Sequence, residues 1–302
     1  MATKKIFPFR NDLVFKLVFG QEGNEEILAR LIDALLHFSG NRRIANLTLL
    51  SPLNLKEFED DKFTIVDVKA TDFAHRRFTI EMQVNEFPSF EKRMAYYLAL
   101  LYTGQLREGD VYSELHPSYG IAILNYVMFD GYDQFQSAFQ FQEKTTGLVL
   151  PDLMELHFVE LPKFKTKPRG MQPRLEKWLD IIRFGEMYAE AKSLPEELRT
   201  DDIIVRAFKE LKRVNADERM RAILEQRDKE ERSRITELNA ALNKGREEGR
   251  SEGRAERRAE GRDAGHEDVA RKMPAEGIEI SFIAKMTGLS FGDIERLKTS
   301  LK

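Results

Sequence analysis

The stretch Lys62–Asn85, KFTIVDVKATDFAHRRFTIEMQVN, constrains this 302-residue chain more than any other. Two runs rich in β-branched and aromatic residues, Phe63–Ala70 and Arg77–Val84, flank a short polar break. That is a strand–turn–strand pattern. In the second run Phe78, Ile80, Met82 and Val84 alternate with Arg77, Thr79, Glu81 and Gln83, so one face is apolar and the other polar. In the first, Asp67 and Lys69 share a face with Phe63 and Ile65. A hairpin centred near Ala74 sets Asp67 opposite Glu81 and Lys69 opposite Thr79. Directly opposed residues have Cβ atoms ~4.5–5.5 Å apart, and like charges there repel. The pair therefore needs a cation, a shared proton or open water. A hard ion such as Mg²⁺, which takes one or two carboxylates plus waters and phosphate oxygens, suits it. The alternative is a solvated hairpin face with two unrelated acids. A slip of one residue would undo the pairing.

Asp67-Val-Lys-Ala-Thr-Asp72, a short turn, then Phe78-Thr-Ile-Glu81-Met-Gln83 resembles the core motif of the Rpn family. These are recombination-promoting, transposase-like nucleases of the PD-(D/E)XK superfamily. The resemblance implies an α/β restriction-endonuclease-like core with a mixed sheet in αβββαβ order. It implies a DNA endonuclease using Mg²⁺, with Mn²⁺ as a substitute, held by Asp67 and Glu81. The third motif residue, commonly Lys, assists the attacking water; here it is Gln83, which leaves the general base open. Lys69, on the Asp67 face, is a candidate substitute. Asp12-Leu-Val-Phe15-Lys16 followed by Phe19-Gly20 is similar to the family's opening signature. A helix there often adds an acid to the site, for which Asp12 or Glu26 could serve; capping and solvation are the plainer roles. Arg93, Tyr97 and Gln105 fall where the family shows Arg, Tyr and Gln, as phosphate or site supports. Tyr97 equally fits plain core. The rival reading is an inactive nuclease fold serving as a DNA-binding or oligomerising scaffold, which Gln83 keeps alive.

Composition sets outer limits. Charged residues make up 33% and apolar ones 42%, the signature of a chain with an extended polar segment. No run of about 18 apolar residues is present, so no membrane span is expected. The N-terminus lacks the apolar stretch of a signal peptide. With no cysteine, thiolate zinc and cysteine nucleophiles are excluded, and a cytoplasmic location is expected. A net charge of −3 gives no global basic footprint, so DNA contact must be local. P-loop, dinucleotide-binding and G-x-S-x-G motifs are missing. The five histidines are far apart in sequence and show no metal-ligand spacing; His75 reads as a surface turn residue.

Along the chain, Asn11–Phe38 reads as one or two helices and 46–53 as a short strand. Glu57, Glu59, Asp60 and Asp61 read as a solvated acidic loop rather than a second cation site. A helix capped by Ser89 is expected to run to about Arg107, with Gly109 near its end. Pro117–Phe129 reads as a strand buried on both faces, followed by strands near 138–142 and 154–161. Lys163, Lys165, Lys167, Arg169 and Arg174 form a basic connector, the best local candidate for DNA backbone. Trp178 lies in a helix with Leu175, Leu179, Ile182 and Met187 on its apolar side; two more helices follow, near 196–213 and 216–243.

Apolar residues thin out from about Arg227. The expected division is a nuclease-like domain over 1–165, a helical extension over 166–243, a repeat segment over 244–272 and a small helix-turn-helix-like tail over 273–302. In GREEGRSEGRAERRAEGRDAG, residues 245–265, arginines recur every fourth position from Arg246 and glutamates from Glu248. Its glycines each cost ~0.8–1 kcal/mol relative to Ala. Alone it should be disordered or marginally helical. It serves either as a flexible linker or as a homo-oligomer contact, Arg stripe against Glu stripe. In the tail, Pro274 is expected to end the preceding helix and Ser290 with Asp293 to form a capping box.

Overall fold

Strands form where the sequence alternates, and helices where apolar residues recur every three or four positions. The computed structural model describes residues 5–50, 67–165, 173–190 and 193–299. The acids at 57–61 and the first half of the leading strand run lie outside these residues. α1 (Asp12–Phe19) is capped by Asn11, whose side chain accepts from the Val14 amide at 3.0 Å. α2 (Glu25–Leu35) buries Ile27, Leu28, Leu31, Ile32 and Leu35. Then come β1 (Leu47–Leu49), β2 (Asp67–Asp72), β3 (Arg77–Gln83), α3 (Phe90–Thr103), β4 (Ser118–Leu124), β5 (Gln136–Gln140) and β6 (Met154–Glu160). Among the described residues the strands make one mixed sheet in the order β1-β2-β3-β4-β6-β5. The β3–β4 and β4–β6 pairs are parallel and the others antiparallel. This is the mixed α/β fold that the motif order predicts.

Each sheet face has its own cover. Phe78, Ile80, Met82, Tyr119 and Ile121 join one large core with α1, α2, α4 (Pro173–Glu190) and, after the short α5 (Glu196–Arg199), α6 (Asp202–Ala216). Trp178 packs its ring 5.9 Å from that of Phe19, so helices after residue 173 complete the same core as the strands. Fully burying a Phe or Leu contributes ~1.5–3 kcal/mol, and this face holds most of them. Met187, expected on the apolar side of α4, is instead 57% exposed. On the other face Phe90 and Met94 of α3 pack on Ala122, Leu124 and Phe158. Gly120 permits this: a Cβ there would lie 2.9 Å from Leu156 and 3.5 Å from Leu98 of α3.

α3 departs from expectation at both ends. It stops at Thr103 with Gly104 as its C-cap, short of Arg107 and Gly109. Ser89 holds the N-cap position at φ 59° and makes no side-chain cap bond. Side-chain capping goes with an extended N-cap backbone, and Ser89 is left-handed instead.

The chain divides into two compact units, Met1–Arg227 and Asp228–Lys302. α7 (Glu218–Lys272) runs through the Gly-Arg-x-Glu segment without a break. The helix does not stop near residue 243. Extending an existing helix needs no new nucleus, so each glycine costs only its own propensity. Within the second unit α8 (Ile280–Thr287) and α9 (Phe291–Thr299) gather Ala270, Ile283 and Ile294 into a small core. Pro274 lies just past the end of α7, and Ser290 Oγ accepts from the Asp293 amide at 3.2 Å. Among the described residues no helix is long and apolar enough to cross a membrane.

Candidate active site

β2 and β3 pair with Asp67 opposite Glu81, Val68 opposite Ile80 and Lys69 opposite Thr79, the register that alternation predicts. The turn is closed by the His75 amide donating to the Asp72 carbonyl at 3.0 Å, with His75 at φ 60°. Because side chains alternate along β3, Phe78, Ile80 and Met82 enter the large core while Thr79, Glu81 and Gln83 face α3.

Glu81 is only 6% exposed. A carboxylate so buried needs a cation or strong donors to offset its lost hydration. α3 supplies one from its first turn: Arg93 Nη2 lies 2.5 Å from Glu81 Oε1 and donates to Gln83 Oε1 at 2.9 Å. Gln83 in turn donates its amide to the Asn85 carbonyl at 2.9 Å. The guanidinium also lies over the rings of Phe87 and Phe90, at 5.0 and 4.8 Å. Gln83 thus orients an arginine, and that arginine holds the acid.

A third element borders this group. The Asn125 amide donates to the Gln83 carbonyl at 2.9 Å, drawing the chain after β4 alongside β3. Tyr126 then packs against the Phe90–Met94 cluster with its hydroxyl buried. Burial pushes the phenol up to about 12; the charges of Glu86, Glu81 and Glu91 add to this and Arg93 opposes it. Tyr126 carries no motif signal. Only its place as an aromatic just past a buried strand marks it.

Other candidates separate. Arg93 joins Glu81, but Gln105 does not: it bonds both the amide and the carbonyl of His116, at 3.0 and 2.9 Å. Ser118 there pairs with Arg77, so Gln105 secures the far end of the sheet. Tyr97 is half-buried within α3. Asp12 accepts from the Leu13 amide and pairs with Arg227 at 3.3 Å, while Glu26 pairs with Arg206. Both sit on helices covering the opposite face, and neither reaches Glu81. Lys163 is committed to Glu160 and the Phe129 carbonyl, at 2.8 and 2.7 Å, which removes it from the basic connector; residues 166–172 lie outside the description. His75 and His116, distant in sequence, bring their rings to 5.0 Å. Among the described residues no group of three or more His, Cys, Asp or Glu is placed to hold a metal. A cleft of about 420 Å³ lined by Arg42, Arg76, Asp72 and Tyr119 opens on the opposite sheet face at the turn end, away from Glu81.

A six-stranded mixed sheet whose first four strands follow αβββαβ order, with two acids in register on the antiparallel hairpin, defines a nuclease-type α/β core. The chain belongs to the PD-(D/E)XK nuclease family transposases, whose sequence model matches residues 9–241. That family implies a phosphodiester hydrolase acting on DNA, and its members typically use divalent metal ions. No curated protein and no solved structure gives a significant match.

Proposed function

We propose that this protein is a Mg²⁺-dependent DNA endonuclease that hydrolyses phosphodiester bonds and promotes recombination, with Mn²⁺ able to replace Mg²⁺. The observation that carries this is the register pairing of Asp67 with Glu81, the latter a buried carboxylate held by Arg93. Two acids in register match the donor preference of a hard divalent ion, and Asp67 and Glu81 would hold it. Such an ion, when bound, supplies a water of lowered pKa and neutralises charge on phosphoryl oxygens. Gln83 keeps Arg93 aimed at the site, and Lys69, next on the Asp67 face of β2, orients water. Residues 1–165 would carry the chemistry, with 166–243 as helical support.

The test is nicking of supercoiled plasmid with Mg²⁺, Mn²⁺ or EDTA by wild type, Asp67→Ala and Glu81→Ala. Metal-dependent cutting lost in both variants is expected; cutting that survives both would place the chemistry elsewhere. A second reading, an inactive scaffold, is favoured by one observation: the amide of Gln83, in the position usually held by Lys, is engaged with Arg93 and Asn85. Calorimetric titration separates them, since a scaffold shows no Mg²⁺ or Mn²⁺ binding that Asp67→Ala abolishes.

The repeat over 244–272 is the proposed self-association segment, with 273–302 as an interaction tail. Positions four apart advance ~40° around a straight helix, so the Arg and Glu rows wind about α7. Helices meeting along such rows cross at about −50° rather than running side by side. A concentration-independent mass together with a coil-like circular dichroism spectrum for residues 228–302 would sink this assignment.

A further inference from the structure

Two polar atoms beside Glu81 are buried and have no hydrogen-bond partner among the described residues: the Tyr126 hydroxyl and Arg93 Nε. Both are donors. A buried donor left without an acceptor costs ~1–3 kcal/mol, so a pair of them in one place calls for an absent acceptor. They belong to one assembly. The guanidinium of Arg93 lies over Phe90, Tyr126 packs against the same Phe90 cluster, and the Asn125–Gln83 backbone bond fixes the approach of Tyr126. A tyrosine hydroxyl is a hydrogen-bond donor, and burial among the Phe90 cluster holds this one in place. Arg93 offers an anion its charge, and Nη2 is already spent on Glu81 and Gln83.

We propose that the Tyr126 hydroxyl and Arg93 Nε jointly receive a non-bridging oxygen of the DNA phosphodiester, which makes Tyr126 a substrate-contacting residue of this site. The inference rests on the nuclease reading and names what holds the scissile phosphate in it. A phosphate oxygen satisfies both donors at once, and charge-assisted bonds of this kind are about twice as strong as neutral ones.

The experiment compares wild type and Tyr126→Phe on oligonucleotide duplexes carrying a single Rp or Sp phosphorothioate at the cleaved position, with Mg²⁺. Phe keeps the ring and its packing and removes the hydroxyl alone. Cleavage of the all-oxygen duplex should fall roughly 10- to 100-fold, the loss of one hydrogen bond to a charged oxygen. The rate penalty for one diastereomer, present in wild type, should shrink in the variant, while Mg²⁺ binding and melting temperature stay unchanged. Equal cutting by both proteins overturns the role of Tyr126 and leaves the nuclease reading standing. A slower variant with unchanged phosphorothioate penalties, or a lowered melting temperature, assigns the hydroxyl to packing and also overturns it. Wild type that cuts no DNA overturns both readings together.

Discussion

The β2–β3 hairpin carries a buried carboxylate–guanidinium pair at each end, and the two are built differently. At the turn, Asp72 accepts from the amide and Nε of Arg76, at 2.9 and 2.7 Å, and pairs with Nη2 as well. The partner is four residues away on the same turn, and its remaining nitrogen donates to the Arg42 carbonyl at 2.8 Å. Its guanidinium also lies 4.6 Å over Phe38. At the open end Glu81 draws its cation from another element, and Arg93 keeps Nε in reserve. A local, fully bonded pair is a staple that shapes the turn. A pair assembled across elements, with donors left over, is one that a ligand can rearrange.

Four substitutions sharpen or break this contrast. The largest effect is expected for Glu81→Ala, with DNA cleavage per folded molecule falling on the order of 10³-fold or more. A plasmid-nicking time course checks it. Asp72→Ala should act on stability alone. Removing one partner of a buried pair costs ~3–5 kcal/mol, read by urea denaturation, yet cleavage per folded molecule should persist. Activity lost without loss of stability would erase the distinction between the two ends. For Arg93→Ala the metal-free protein should lose stability through an uncompensated Glu81, and saturating Mg²⁺ should restore it by linkage. A Mg²⁺-induced melting shift no larger than that of wild type would mean that Arg93 and the metal do not share the carboxylate. The smallest effect belongs to Ser89→Gly. At φ 59° a side chain costs ~1–2 kcal/mol relative to glycine, so this change should stabilise the entry to α3 by about 1 kcal/mol, seen in thermal unfolding.

Much of the hairpin was legible in advance because the evidence for it is local. Side chains alternate with a period of two, so Phe78, Ile80 and Met82 against Thr79, Glu81 and Gln83 leave one register that buries the apolar set. The same reasoning located β4, whose residues are all buried, and the helices of the first unit. It did not give the length of α7, since glycine propensity speaks to a repeat that starts a helix and not to one that extends a helix already begun. It read Ser89 as a side-chain cap because residue type does not reveal the left-handed backbone that defeats capping.

What the sequence determined by itself was the hairpin, its facing acids and the order of helices and strands, all consequences of short-range periodicity. Only the tertiary structure decided which residues surround Glu81. It brought in Tyr126, set Arg93, one of the expected supports, against Glu81, and placed Asp12, Glu26 and Gln105 elsewhere. The reason is geometric. α3 and the chain just after β4 reach β3 through packing on a six-stranded sheet, and the close approach at Gly120 that sets this packing has no signature in local spacing.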